Sequence, residues 1–329
     1  MICELEYKVF TTEHTGFEGL ALAVFQFQYK HNQLYSRYVD LLCIDPSTVN
    51  TVHKIPFLPI DFFKTHRVAT TNFAEEVVFE SSGTTQTVPS KHFIKDVSVY
   101  RQSFGRCFEQ FYGRISDWCV LGLLPGYLER ANSSLVFMVN ELITQSGHEH
   151  SGFYLYEHEK LLKVIRRLNM TGQKTLLIGV TFALLDFATN YPEQLNNTIV
   201  METGGMKGRR EEMTRTEVHS LLKSAWNIPA IHSEYGMTEL LTQAYSAGKG
   251  IFKCPSWMKI LLREEDDPMM IKSTGRGLIN VIDLANIYSC SFIATDDIGI
   301  LHTDGGFEVL GRRDNSDLRG CSLMAAGYS

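Results

Sequence analysis

Four apolar runs, at residues 119–124, 175–180, 198–202 and 228–232, constrain the fold most, because stretches of helical period separate them. Helices are predicted near 133–146, 157–169, 181–190 and 211–226. A strand that is apolar on both faces must be covered on both, and alternation with helices then predicts an α/β fold built on a mostly parallel sheet. After about residue 258 the texture changes to short runs at 258–263, 278–284, 291–294, 298–301 and 307–310, with turns between them. The expected division is an α/β core over 1–257 and a small antiparallel β subdomain over 258–329.

Upstream, apolar residues at Leu20, Val24, Phe27, Leu34, Tyr38 and Leu41 follow helical spacing, with a break near His31 and Asn32. Asp45 can cap a short turn through Thr48. Pro56 and Pro59 prevent regular helix throughout residues 55–63, which read as a loop anchored in the core. A further helix is predicted over about 96–114.

The 329 residues carry a net charge of −6, so no basic field argues for nucleic acid or an anionic membrane surface. No apolar stretch approaches the ~18 residues of a membrane span. The N-terminus lacks the basic and apolar regions of a signal peptide. Seven cysteines without CxxC spacing fit reduced thiols, and a cytoplasmic location is expected.

The loops hold the polar chemistry. Glu80-Ser81-Ser82-Gly83-Thr84-Thr85-Gln86 follows the apolar Val77-Val78-Phe79 and reads as a strand-to-strand loop. Its hydroxyls, backbone N–H groups and glycine suit phosphate oxygens, although such clusters also make plain turns. In parallel sheets ligands gather beyond the carboxyl ends of strands. Pro125-Gly126-Tyr127 stands at one such end, as a turn or a ligand loop. Thr203-Gly204-Gly205-Met206-Lys207-Gly208 stands at another, where glycines allow close approach of a ring or phosphate. His232-Ser233-Glu234-Tyr235-Gly236-Met237-Thr238-Glu239 offers an aromatic face, a hydroxyl and a carboxylate, the set that stacks a base and holds Mg²⁺ near phosphates. Thr295-Asp296-Asp297-Ile298-Gly299 and Gly311-Arg312-Arg313-Asp314 supply carboxylates for a ribose diol and arginines for phosphate, or form a solvated hairpin. Gly147-His148-Glu149-His150 with His158 reads as a polar surface loop rather than a metal site.

In their order along the chain these motifs resemble the acyl-adenylate-forming (ANL) superfamily. Within it, residues 55–63, the Ser-Ser-Gly-Thr-Thr loop, Glu202-Thr203-Gly204-Gly205-Met206-Lys207-Gly208 and the ending Leu318-Arg319-Gly320-Cys321-Ser322 look most like the LuxE-type acyl-protein synthetases. The resemblance spans roughly residues 50–322. It implies the ANL large N-terminal domain without the mobile C-terminal domain, and an AMP-forming acid–thiol ligase using ATP and Mg²⁺. On that resemblance Ser81, Ser82, Gly83, Thr84 and Thr85 would hold the β- and γ-phosphates. Gly204 and Gly205 would line the adenine site, Tyr235 would stack on the base, and Gly236 would belong to the nucleotide site. Thr238 would contact the α-phosphate, Glu239 would ligate Mg²⁺, and Asp297 with Arg312 would take the ribose hydroxyls.

Departures from the pattern are Gln86 for a glycine, Pro89-Ser90-Lys91 for an adjacent Pro-Lys pair, and Asp296 for a glycine. The lysine of the larger relatives' C-terminal domain has no counterpart before Ser329, and Lys207 is the candidate to supply that charge. Cys321 matches the cysteine that accepts the acyl group in the acyl-protein synthetases, and the neighbouring Arg319 favours its thiolate; a buried inert thiol is the plainer reading. Three functions stay open on the sequence. One is activation of a fatty or other carboxylic acid with transfer to a protein cysteine. The second is transfer to coenzyme A or a carrier thiol. The third is a non-catalytic nucleotide- or acyl-binding subunit. A partner reductase that takes the acyl group is implied by the luminescence relatives.

Overall fold

Two large sheets and one hairpin organise the computed structural model, which describes residues 2–12, 14–81, 88–125, 132–204 and 213–313. The apolar runs build the first sheet. From edge to edge it is Gly152–Phe153, Cys119–Leu123, Thr175–Val180, Thr198–Thr203, His232–Tyr235 and Ala244–Ser246. All neighbours are parallel except the last pair. Every residue of Cys119–Leu123 and Thr175–Val180 is buried, as strands apolar on both faces require. The helices Ser134–Ser146, His158–Thr171, Thr181–Asn190 and Arg215–Trp226 supply the crossovers. The chain leaves Cys119–Leu123 toward one edge and returns beside it at Thr175–Val180, which makes that junction a topological switch point.

The second sheet is antiparallel over Met258–Arg263, Gly275–Asp283, Phe292–Leu301 and Phe307–Arg312, with Ile271–Lys272 at an edge. Leu58–Pro59, inside the proline-rich stretch, adds a short parallel strand against Phe292–Leu301. Around it Phe57, Leu58, Ile60 and Phe63 are buried, which is the core anchoring expected of residues 55–63. The amino-terminal helices are Phe17–His31 and Gln33–Leu41, broken at Asn32, whose side chain accepts from Tyr35 N and caps the second helix. A continuous apolar core joins these helices to both sheets, with Phe25, Tyr35 and Phe292 meeting ring to ring.

Three elements differ from their sequence-based prediction. The strand expected at 228–232 lies at His232–Tyr235. Helix Arg215–Trp226 ends on a left-handed Asn227, Ile228 N still bonds Lys223 O, and Pro229 has no N–H to give a ladder. The apolar character of 228–231 therefore reports burial of Ile228 and Ile231 in a helix exit. The helix expected from 211 starts at Arg215, behind a capping box of Thr214 and Glu217. The two strands expected at 291–294 and 298–301 are one, Phe292–Leu301, so Asp296 and Asp297 sit inside a strand rather than on a turn.

Candidate functional site

Val77–Glu80 and Lys91–Ile94 pair antiparallel as the stem of the hydroxyl loop. Its neck is closed twice: Ser81 N donates to Ser90 O at 3.0 Å, and Ser90 N to Ser81 Oγ at 2.8 Å. Of the loop residues named from the sequence, Ser82, Gly83, Thr84 and Thr85 lie outside the described residues. Alternation along Lys91–Ile94 turns Lys91 outward, where it pairs with Glu80 across the stem at 3.3 Å, and turns His92 into the core.

The strand His232–Tyr235 ends by delivering Gly236, Thr238 and Glu239 to the same place. Glu239 is buried, 5% exposed, and burial pushes its carboxyl above the usual range against the opposing hydrogen bond of the Ser90 side chain. Ser90 thus stands at the neck of the hydroxyl loop and close to the expected Mg²⁺ ligand. Farther along the turn, Asp283 accepts from Leu241 N at 2.8 Å, Thr242 N at 3.0 Å and Thr242 Oγ1 at 2.6 Å. At Gly236 an added Cβ would stand 2.3 Å from Glu234 Oε1, so a larger residue there would have to displace that carboxylate.

The second sheet faces this turn with a charged cross-strand pair. Asp297 and Arg312 are register partners, and Arg312 Nε donates to Asp297 Oδ1 at 3.2 Å. Tyr235 Oη donates to Asp297 Oδ2 at 2.9 Å. The Tyr235 ring packs at 5.5 Å from Phe307 and 5.9 Å from Phe252. Burial, then the Asp297 carboxylate, hold the Tyr235 phenol well above its usual range, so it stays a donor. The strand around Asp297 is irregular, with register shifts on both flanks. Arg263 Nη2 takes Thr295 O at 2.6 Å and its Nη1 takes Asn280 Oδ1 at 2.7 Å, which fixes that irregular backbone from inside.

At the end of Thr198–Thr203 the buried Glu202 collects three partners on Oε1: His219 Nε2 at 2.9 Å, Ser233 Oγ at 3.0 Å and Arg215 Nε at 3.3 Å. Burial pushes the Glu202 carboxyl up, but the His219 hydrogen bond and charge, with Arg215 and Ser233, outweigh it and leave it below the usual range. Gly204 follows in the left-handed region, φ 70°, with its carbonyl held by Thr181 Oγ1 at 3.0 Å. Gly205 and Lys207 of the same motif lie outside the described residues, as do Tyr127 and Cys321. Among the described cysteines, burial raises the thiols of Cys107, Cys119, Cys254 and Cys290, that of Cys119 to about 11, which makes them poor nucleophiles.

The model of the family "Acyl-protein synthetase, LuxE" matches residues 11–327. The chain belongs to the LuxE acyl-protein synthetase family. A long-chain-fatty-acid–luciferin-component ligase of Vibrio harveyi is 22% identical over 92% of this chain and 85% of its own length. Among solved structures, 2-hydroxyisobutyryl-CoA ligase in complex with 2-HIB-AMP and CoA superposes with a TM-score of 0.63 at 11% identity, over 94% of this chain and 77% of that one. ATP-bound MatB from Rhodopseudomonas palustris gives 0.54 at 14% identity over 73% of this chain, which spans about half, 49%, of MatB. The family member described here therefore has the ANL fold, and with its family it is a ligase.

Of the residues that sequence reasoning named, Ser81 stands at the neck of the hairpin, Gly204, Tyr235 and Gly236 at strand ends of the parallel sheet, Thr238 and Glu239 on the turn that follows, Asp297 within a strand of the second sheet and Arg312 at the end of another. That reasoning missed Ser90, His92, Arg215, His219 and Arg263, and it had read Glu202 only as part of a motif. A polar residue at the inward position of a strand, as His92 is beside Ile94, was the available signal.

Proposed function

We propose that this family member activates a carboxylic acid, a fatty acid foremost, as its acyl-adenylate and then passes the acyl group to a protein cysteine, its own Cys321. The observation that carries this reading is the Tyr235–Asp297–Arg312 arrangement standing beside the Glu239–Ser90 contact, which sets a diol-binding carboxylate near a loop neck suited to phosphates. Mg²⁺ fits here: it keeps several waters and takes one or two carboxylates plus phosphate oxygens, and Glu239 is a buried carboxyl near Ser90 at the neck of the hydroxyl loop. When bound, the ion would neutralise phosphate charge.

In the first step a carboxylate oxygen of the acid attacks the α-phosphorus of ATP, and the bond from that phosphorus to the bridging oxygen breaks with loss of pyrophosphate. In the second the Cys321 thiolate attacks the acyl carbon, the thioester forms and AMP leaves. The protein's part is positioning and charge neutralisation. Asp297 orients the ribose, Thr238 meets the α-phosphate, and Lys207 supplies the second cation. We assign the sheet from Met258 onward to closing the nucleotide site, place the protein in the cytoplasm, and take an acyl-accepting reductase as its partner. Among the described residues no helix is long and apolar enough to cross a membrane.

The test is intact-protein mass after incubation with Mg-ATP and a panel of fatty and aromatic acids. An adduct removed by hydroxylamine and absent in Cys321→Ser is expected. Acid-dependent pyrophosphate exchange without an adduct would instead assign the acyl group to coenzyme A or a carrier thiol. No adduct and no exchange would leave a binding subunit without catalysis.

A further inference from the structure

The turn bearing Thr238 and Glu239 has little regular structure of its own, and buried side chains from elsewhere hold its backbone. His92 Nδ1 lies 2.8 Å from Thr238 O, and Asn286 Nδ2 donates to Glu239 O at 2.8 Å. His92 is 1% exposed and Asn286 fully buried. A carbonyl only accepts, so Nδ1 carries the proton and Nε2 accepts from Ser289 Oγ at 3.0 Å. Ser289 is anchored in turn: its carbonyl takes Thr70 Oγ1 at 2.6 Å and Asn32 Nδ2 at 2.9 Å. The Phe63 ring meets the imidazole edge-on at 5.6 Å. His92 lies on the strand Lys91–Ile94 that leaves the hydroxyl loop, two residues beyond Ser90, which is buried near the Glu239 carboxyl. The imidazole on this strand and the Asn286 amide therefore hold the carbonyls of two successive residues of the turn.

We infer that His92 is a positioning residue that locks the stem of the phosphate loop to the Thr238–Glu239 turn, so that polyphosphate and metal are received by one rigid unit. The inference rests on the nucleotide reading given above, since it assigns those two segments to phosphates and Mg²⁺. The pairing has a directional consequence. Loss of the clamp separates the groups that meet the phosphates while leaving Tyr235, Asp297 and Arg312 bonded to one another.

Binding of Mg-ATP and of adenosine, each followed by thermal shift and calorimetric titration, tests this on the full chain. In His92→Leu the dissociation constant for Mg-ATP is expected to rise about tenfold, the loss of roughly one buried hydrogen bond. Adenosine, which has no phosphate, is expected to change by less than about twofold. His92→Asn, which keeps an N–H near the position of Nδ1, should recover most of the loss. Ser289→Ala, which removes the hydroxyl that fixes the His92 ring, should reproduce the pattern more weakly, and carries the test alone if the leucine variant does not fold. Equal weakening of both ligands would show a merely structural residue, and unchanged Mg-ATP affinity in folded variants would show no clamp; either overturns the inference. A wild-type chain that binds neither ligand overturns the nucleotide reading itself.

Discussion

Asp297 shows how much one side chain carries here. Its two oxygens are divided between Tyr235 and Arg312, and its backbone N–H goes to Thr295 Oγ1 at 3.2 Å. Asp297→Asn keeps the shape and removes the charge that pairs with Arg312. Charge-assisted bonds contribute about 1.5–3 kcal/mol, so KM for ATP in acid-dependent pyrophosphate exchange should rise at least about tenfold. An unchanged KM would take Asp297 out of the nucleotide site. His92 makes a second prediction at this scale. Burial pushes its imidazole from 6.5 down to about 4, against the pull of the Thr238 carbonyl. The unfolded chain then binds a proton that the folded chain refuses between those values. The contribution of a neutral His92 is complete above pH 6.5 and is lost as pH falls toward 4. Denaturant titrations at pH 7 and pH 4.5 should show wild type losing on the order of 2 kcal/mol more than His92→Gln. Parallel losses in the two proteins would contradict the assigned protonation state.

Among the elements, the turns are less tolerant of change than the helices. Gly204 ends Thr198–Thr203 with φ 70°, and Gly204→Ala places a Cβ in the left-handed region at a cost of about 1–2 kcal/mol. Gly236→Ala would drive a Cβ into Glu234 Oε1, a flexible carboxylate end that can swing only by giving up its hydrogen bond from Thr203 Oγ1. Both variants should fold with lowered melting temperatures, and Gly236→Ala should also weaken Mg-ATP binding because it shifts the turn leading to Thr238. By contrast, Thr214→Ala removes the capping box of Arg215–Trp226 and should cost about 1 kcal/mol in thermal unfolding, with nucleotide binding unchanged.

Across the whole molecule, Arg215 ties the two sheets together. From the helix Arg215–Trp226 its guanidinium reaches Glu202 at 3.3 Å, donates to Val309 O at 3.2 Å and lies 5.3 Å from the Phe252 ring centroid. Val309 belongs to Phe307–Arg312, the strand that carries Arg312. Arg215→Met keeps the aliphatic stem but removes the donors, leaving the Glu202 carboxylate short of one partner in a buried site. The expected cost is about 1–3 kcal/mol, accompanied by weaker Mg-ATP binding, because the strand bearing Arg312 is no longer tethered to the parallel sheet. A melting curve and a binding titration on this variant check both parts. Loss of stability with unaltered affinity would confine Arg215 to a scaffolding role.

The sequence by itself determined the parallel sheet and most of its helices, because burial on both faces writes an uninterrupted apolar run and helical burial writes a 3.6-residue period. It also marked the candidate loops for the chemistry, because glycines and hydroxyls gather beyond strand ends at Gly204, Gly236 and the hydroxyl cluster. Tertiary structure decided what the residues do to one another. The strand predicted at 228–232 was a helix exit because Asn227 and Pro229 govern the backbone there, whatever the apolar content. Asp296 and Asp297 lie within a strand because Arg263, 32 residues before Thr295 in the chain, bonds the irregular backbone from inside. His92 meets Thr238 across 146 residues, and Arg312 pairs with Asp297 only through strand register. Local pattern encodes burial and turn geometry, whereas the partners of a buried polar group are set by which segments the sheets bring side by side.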